Sequence, residues 1–402
     1  MPISGFERVE HLFLPEVTIS AFTEKGREES SIIVPKQRAY TGRKPAITSR
    51  IADIPCTTLG VEGLLDQLNT TLRTSYSLDN LFLASLLEDC ITNEYDVGMV
   101  YGRLRRIWYT YDWSTVRDVL CRREEKDRER RQKAVIGDRI VHPQLPPRLM
   151  DVPFDGWWPR PISHAWVDEP DLTVVPTPIN SYEWPVPIPK DANLNLIRIE
   201  MLNLGLEYAW LDVLCLRQVG GRREDLRTEE WKLDVPTIGA VYYNENVVIY
   251  LSGLGRPLSL KKGDLESEQC WFRRAWTLQE AGGDTPDGPL HAECKDGKYE
   301  TELLTRFHKQ LQSLHQVWYE VFEAPEKMQH RVSTNPIDKI AGLAFLMRSR
   351  SIPTYRDSDS PEDAWTALVN SMVKWRRGEL FCMYPEPGNA GKKWRPSWEQ
   401  VM

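Results

Sequence analysis

Three short apolar segments separated by helix-forming stretches constrain this chain more than any other feature. They are ISHAW (162–166), YAWLDVLCLRQ (208–218) and NVVIYLSG (246–253). Between the first two, Leu194, Ile197, Met201 and Leu204 recur at helical spacing over about 192–204. Gly205 stands where a left-handed residue closes a helix. Between the second and third, Trp231, Val235, Ile238 and Tyr242 share a helical register over about 224–242, with Pro236 expected to kink it. Strand and helix in alternation favour right-handed crossovers and a parallel sheet. Tyr208–Leu216 is almost continuously apolar and reads as the central strand, covered on both faces. CWFRRAWTLQE (270–280) reads as an amphipathic helix after the third strand. It puts Arg273, Thr277 and Glu280 on one face and Trp271, Ala275 and Leu278 on the other.

The bulk numbers set limits around this core. At 402 residues the chain has room for two or three domains, and 41% hydrophobic content argues against a wholly disordered protein. A net charge of −7 gives no support to nucleic-acid binding. No apolar run is long enough for a membrane span, and the first residues lack the pattern of a secretory signal. The cysteines at 56, 90, 121, 215, 270, 294 and 382 are odd in number and form no C-x-x-C, which points to reduced thiols and a cytoplasmic location.

Along the chain, residues 1–50 read as a loosely ordered arm and 51–141 as a helical N-terminal region. Its stripes are Leu64, Leu65, Leu68 and Leu72; then Leu81, Leu83, Leu86 and Leu87; then Leu104, Ile107, Trp108 and Tyr111. The run 116–135 pairs opposite charges four apart (Glu124/Arg128, Asp127/Arg131, Glu129/Lys133), the pattern of a solvated helix rather than a basic recognition helix. Residues 142–161 read as a proline-rich linker, 162–300 as the α/β core and 301–402 as a helical C-terminal extension. A second proline-rich stretch covers 176–189. In the extension, apolar clusters fall at 303–322 and 337–347, a further helix at about 361–377, and a loop follows.

Ligands of open parallel sheets bind beyond the carboxyl ends of the strands. Three groups of residues fall there: Ser163, His164 and Trp166; Asp212 with Arg217 and Gln218; and Ser252 with Gly253 and Gly255, leading towards Glu280. Asp212 stands out, because a carboxylate within an apolar strand needs a partner. It either pairs with a backbone amide, Arg273 or Arg274, or contacts a ligand. Glu280 has the same two options. His164 has no metal-ligand partner at helical or strand spacing, so no metal site is expected. There is no G-x-S-x-G and no Walker loop, and GLGRP (253–257) is not a dinucleotide fingerprint.

In this order the four segments resemble the heterokaryon-incompatibility (HET) domain of filamentous fungi. Ser163-His164-Ala165-Trp166 matches the family's Ser-Tyr-x-Trp with His in second place, and Val167 replaces the usual glycine. Tyr208, Trp210, Asp212, Cys215 and Gln218 match Tyr-x-Trp-x-Asp-x-x-Cys-Ile-x-Gln, with Leu216 for Ile. Val241-Tyr242 stands for Ile-Tyr. Arg274, Trp276, Thr277, Gln279 and Glu280 complete Arg-x-Trp-Thr-x-Gln-Glu. PIDKIAGLAFL (336–346) and WRPSW (394–398) are weaker likenesses.

The resemblance implies a fold similar to Toll/interleukin-1 receptor (TIR) domains, a parallel sheet flanked by helices. It also implies a role in fungal self/non-self recognition and programmed cell death. TIR enzymes cleave the nicotinamide–ribose bond of NAD with a glutamate at the relative place of Glu280. Two readings follow. In the first, Glu280 is catalytic in an NAD glycohydrolase active as a homo-oligomer; Trp276 or Trp166 stacks on nicotinamide, Arg274 binds phosphate, and Ser163, His164, Asp212, Gln218 and Ser252 line the nucleotide site. NAD is then a substrate, and no cofactor is required. In the second, the chain is a non-enzymatic oligomerising module that meets a signalling protein, and Glu280 is a structural ion pair.

Overall fold

In a computed structural model the described residues are 46–141, 158–280 and 323–402, save for a few single positions. Residues 31–33, 39–40, 42 and scattered positions within 305–317 are also described. Most of the arm, most of the linker, the stretch 281–300 and most of the 303–322 cluster lie outside them.

The N-terminal region is helical, as its leucine periods require. Its helices are α1 (Ser49–Ala52), α2 (Cys56–Leu72), α3 (Leu81–Thr92), α4 (Val97–Leu104) and α5 (Val116–Ala134). Leu64, Leu65, Leu68, Leu72, Leu83, Leu86 and Leu87 bury into one cluster with Trp108 and Trp113. Asn80 starts α3 by accepting hydrogen bonds from the amides of Phe82 and Leu83, a cap worth about 1 kcal/mol. The third stripe is broken. Helix α4 stops at Leu104, and although Trp108 is buried, Tyr111 is fully exposed. Of the three expected charge pairs on α5, Glu129–Lys133 forms at 2.8 Å. Glu124 instead pairs with Arg103, and Arg131 reaches the buried Asp234 at 2.5 Å. The helix is therefore tied to its neighbours rather than merely solvated.

Beyond it lies a mixed α/β unit. A strand of the arm, β1 (Ser31–Ile33), pairs antiparallel with β9 (Ser259–Lys261). Strands β2 (Val135–Ile136), β3 (Arg139–Ile140) and β10 (Ile352–Pro353) form a small antiparallel sheet. The parallel sheet comprises β7 (Ala209–Leu211), β4 (Arg160–His164) and β8 (Val248–Tyr250), in that order. Ile162 pairs with Leu211 on one side and with Val248 on the other. The middle strand is thus β4, which begins inside the expected linker. The 208–216 segment supplies an edge strand of three residues rather than the centre.

Helix α6 (Leu194–Asn203) is capped by Asn193 and closed by Gly205 at φ 74°. It packs on one face of the sheet with β5 (Leu172–Val175) and β6 (Val186–Pro189), a hairpin built partly from the second proline-rich stretch. The other face meets α8 (Arg227–Asn244), with Pro236 inside the helix, and the helix Pro336–Leu346. Helices Glu323–Gln329, Pro361–Ser371, Lys374–Met383 and Trp398–Val401 complete the C-terminal region. The expected 361–377 helix divides in two after Ser371. No described helix is long and apolar enough to cross a membrane.

Candidate functional site

The 208–216 segment leaves the sheet at Leu211, and Asp212 begins the short helix α7 (Asp212–Cys215). If the register with β4 continued, position 212 would fall opposite Ser163. The Asp212 carboxylate is therefore at the carboxyl end of the sheet rather than inside a strand. Its Oδ1 lies 2.9 Å from His164 Nε2 and accepts the Val213 amide at 2.7 Å. Neither Arg273 nor Arg274 is its partner. The His164 Nδ1 is 3.3 Å from the Ala165 carbonyl oxygen, and the Trp166 ring tilts over the imidazole at 5.3 Å.

Segment 270–280 is not one helix. Trp271–Arg273 form a 3₁₀ turn, and Arg274 is extended and bridged to Val332. Helix α9 (Thr277–Glu280) follows. The shared face expected for Arg273, Thr277 and Glu280 accordingly does not exist. The break carries the indole of Trp271 and the carboxylate of Glu280 to the same strand residue. Trp271 Nε1 donates to Ser163 Oγ at 2.7 Å, and Ser163 Oγ donates to Glu280 Oε2 at 2.5 Å. Ser163 and Trp271 are fully buried and Glu280 is partly so. Glu280 forms no salt bridge with Arg273 or Arg274.

The charges here are coupled. Burial, reinforced by Asp212, pushes the Glu280 carboxyl up to about 7; the Ser163 hydrogen bond, His164 and Arg331 pull the other way. Burial would lower the His164 pKa, but Asp212, by charge and hydrogen bond, and then Glu280 raise it above the usual imidazole range. Tyr242, whose hydroxyl donates to the Ile162 carbonyl at 3.2 Å, is driven well above the phenol range by burial and by the same two carboxylates.

The remaining expected site residues divide. Ser252 follows β8, whose Tyr250 pairs with His164. A Cβ on the neighbouring Gly253 (φ 110°) would meet the Val167 side chain at 3.0 Å, so this turn lies beside the end of β4. Arg274 is partly buried; burial lowers its pKa, while Asp338, Glu280 and Asp168 oppose that shift. Trp276 is hydrogen-bonded to Asp338, which also accepts from Tyr355 at 2.9 Å, so it belongs to a separate polar cluster. Gln218 only bonds the Leu216 carbonyl, and no hydrogen bond joins it to Ser163, His164 or Glu280 among the described residues. Arg217 turns away to Glu183 (2.9 Å) and Glu230 (2.8 Å) beneath the Trp184 ring.

Two contributors were not among the expected site residues. Trp271 has the pattern of an ordinary core aromatic. Arg331, in a segment with no periodicity, is buried beneath α9. No described cluster of His, Cys, Asp and Glu could hold a metal ion. No family model, curated protein or solved structure matches the chain.

Proposed function

We propose that this chain is a HET-type module with a TIR-like α/β core, and that it hydrolyses the N-glycosidic bond of NAD in an assembled, homo-oligomeric state. The observation that carries the reading is the Glu280 carboxyl, fixed by Ser163 at the carboxyl end of the central parallel strand. Ligands of open parallel sheets bind at that end. A carboxyl shifted to about 7 is the kind of perturbed group that active sites build. The side-chain amide of Gln279, next to Glu280, is 1% exposed and has no hydrogen-bond partner among the described residues.

In this reading the bond from ribose C1′ to the nicotinamide nitrogen breaks, with both electrons leaving on nicotinamide. Ionised Glu280 offsets the positive charge developing on the ribose, or holds a ribose hydroxyl. Water then bonds to C1′ and loses a proton. Trp166, over His164, offers a ring for the nicotinamide, Asp212 and Ser252 line the approach, and the buried Ser163 holds Glu280. The role in self/non-self recognition and cell death rests on the family resemblance alone.

One observation favours the second reading, a non-enzymatic signalling module. Glu280 Oε2 already accepts a short hydrogen bond from a buried hydroxyl, as a structural carboxyl would. Nicotinamide release from NAD by concentrated or deliberately oligomerised protein separates the two, with Glu280→Gln as the control.

A further inference from the structure

We infer that Arg331 is the positioning residue of Glu280: it fastens the segment that presents the carboxylate, and its buried positive charge favours the ionised form. The catalytic part of this role rests on the function proposed above; the electrostatic part does not.

Arg331 is 4% exposed. A buried guanidinium is normally matched by a carboxylate, because stripping its water is expensive. Among the described residues Arg331 has no such match, and no salt bridge joins it to any of them. Its Nη1 donates to Thr277 Oγ1 at 2.7 Å and to the Arg274 carbonyl. Thr277 in turn donates to the carbonyls of Trp271 (2.6 Å) and Arg274 (2.8 Å). The next residue's backbone is bonded to the same strip: Val332 N donates to Arg273 O at 2.6 Å, and Ala275 N to Val332 O at 2.9 Å. Arg331 thus locks residues 271–277, the break that turns Glu280 towards Ser163. Thr277, its direct contact, begins α9, which contains Glu280.

Its charge is felt by that carboxyl. Burial lowers the Arg331 pKa to about 9, and Glu280 is the foremost group opposing the fall. Reciprocally, Arg331 acts with His164 to favour ionised Glu280 against Asp212. Among the described residues, the other titratable groups facing the pair are Tyr242 from α8, Cys270 just before the 3₁₀ turn, Arg273 within it, and Arg274. Both bonds come from Nη1, so a lysine would keep the charge while losing the planar guanidinium that places that nitrogen.

The test uses the full chain and needs no turnover. Unfolding stability is measured against pH for the wild type, Glu280→Gln, Arg331→Gln and the double variant. The difference between each protein that keeps Glu280 and its Glu280→Gln counterpart reports the Glu280 midpoint. In the Arg331→Gln background that midpoint should rise by about one pH unit, a tenfold change in ionised fraction; Arg331→Lys should restore it. An unchanged midpoint overturns the inference. If Arg331→Gln does not fold, Thr277→Val gives the second route by removing the acceptor that holds the guanidinium, and it too should raise the midpoint. An unchanged midpoint in that variant contradicts the inference as well. Failure of the enzyme reading appears separately, as NAD turnover in Glu280→Gln equal to wild type.

Discussion

Ser163 and Glu280 lie 117 residues apart in the chain and are joined by a hydrogen bond of 2.5 Å. Ser163 is the penultimate residue of the central strand, and Glu280 lies in α9, after the third. The bond is polarised in one direction, since the hydroxyl that donates to the carboxylate itself accepts from Trp271. Strand order, the break at Arg274 and the Trp271 indole all converge on one carboxyl.

Ser163→Ala should destabilise the protein by about 1–3 kcal/mol, because it leaves the buried Trp271 N–H without an acceptor as well as freeing Glu280. Urea unfolding at neutral pH checks this. The Glu280 midpoint should also rise, since the lost hydrogen bond favoured the charged form.

Stability should depend on pH through Glu280 in a defined window. The folded carboxyl holds its proton up to about 7 and the unfolded one only to about 4.5, so ionising it opposes folding as pH rises between those values. Relative to Glu280→Gln, the wild type should lose up to roughly 3 kcal/mol between about pH 4.5 and about pH 8. Denaturant midpoints at those two values, for both proteins, measure it.

His164 titrates in the same sense. Its raised pKa contributes stability at pH below the ordinary 6.5, and that contribution is lost as pH rises through the raised value. Asp212→Asn removes the main group that raises it, so the imidazole midpoint, followed by NMR of the ring, should fall.

Much of this arrangement is legible in the amino-acid order. Alternating strand and helix periods fix the parallel pairing, because short apolar runs with intervening helices leave few other topologies. Leu194, Ile197 and Met201 followed by Gly205 define α6 to within two residues. What stays hidden depends on contacts distant in the chain. Asp212 turns out of the sheet because the strand stops at Leu211 and His164 supplies a partner. Segment 270–280 has helical spacing, yet it is pulled extended at Arg274 by Val332, and Arg331 bonds it from 57 residues away. Local periodicity carries no trace of such a bridge.

Arg217 illustrates the same limit at a residue grouped by sequence with the site. Its guanidinium is bonded to Glu183, Glu230 and the Arg222 carbonyl and is 3% exposed. Arg217→Ala should cost about 3 kcal/mol by removing a buried cation bonded to two carboxylates. It should leave the Glu280 midpoint where it is, as pH-resolved unfolding of the variant would record.

On the proposed function, Glu280, presented by the parallel sheet, acts on the N-glycosidic bond of NAD. Nicotinamide release is the most direct measurement of it, made on wild type and Glu280→Gln at high concentration and after forced self-association. Release by the assembled wild type, rising with pH through about 7 as the carboxyl ionises and reduced at least about a hundredfold in Glu280→Gln, is the expected result. No release by any assembled wild-type form, or equal release by the two proteins, contradicts the claim.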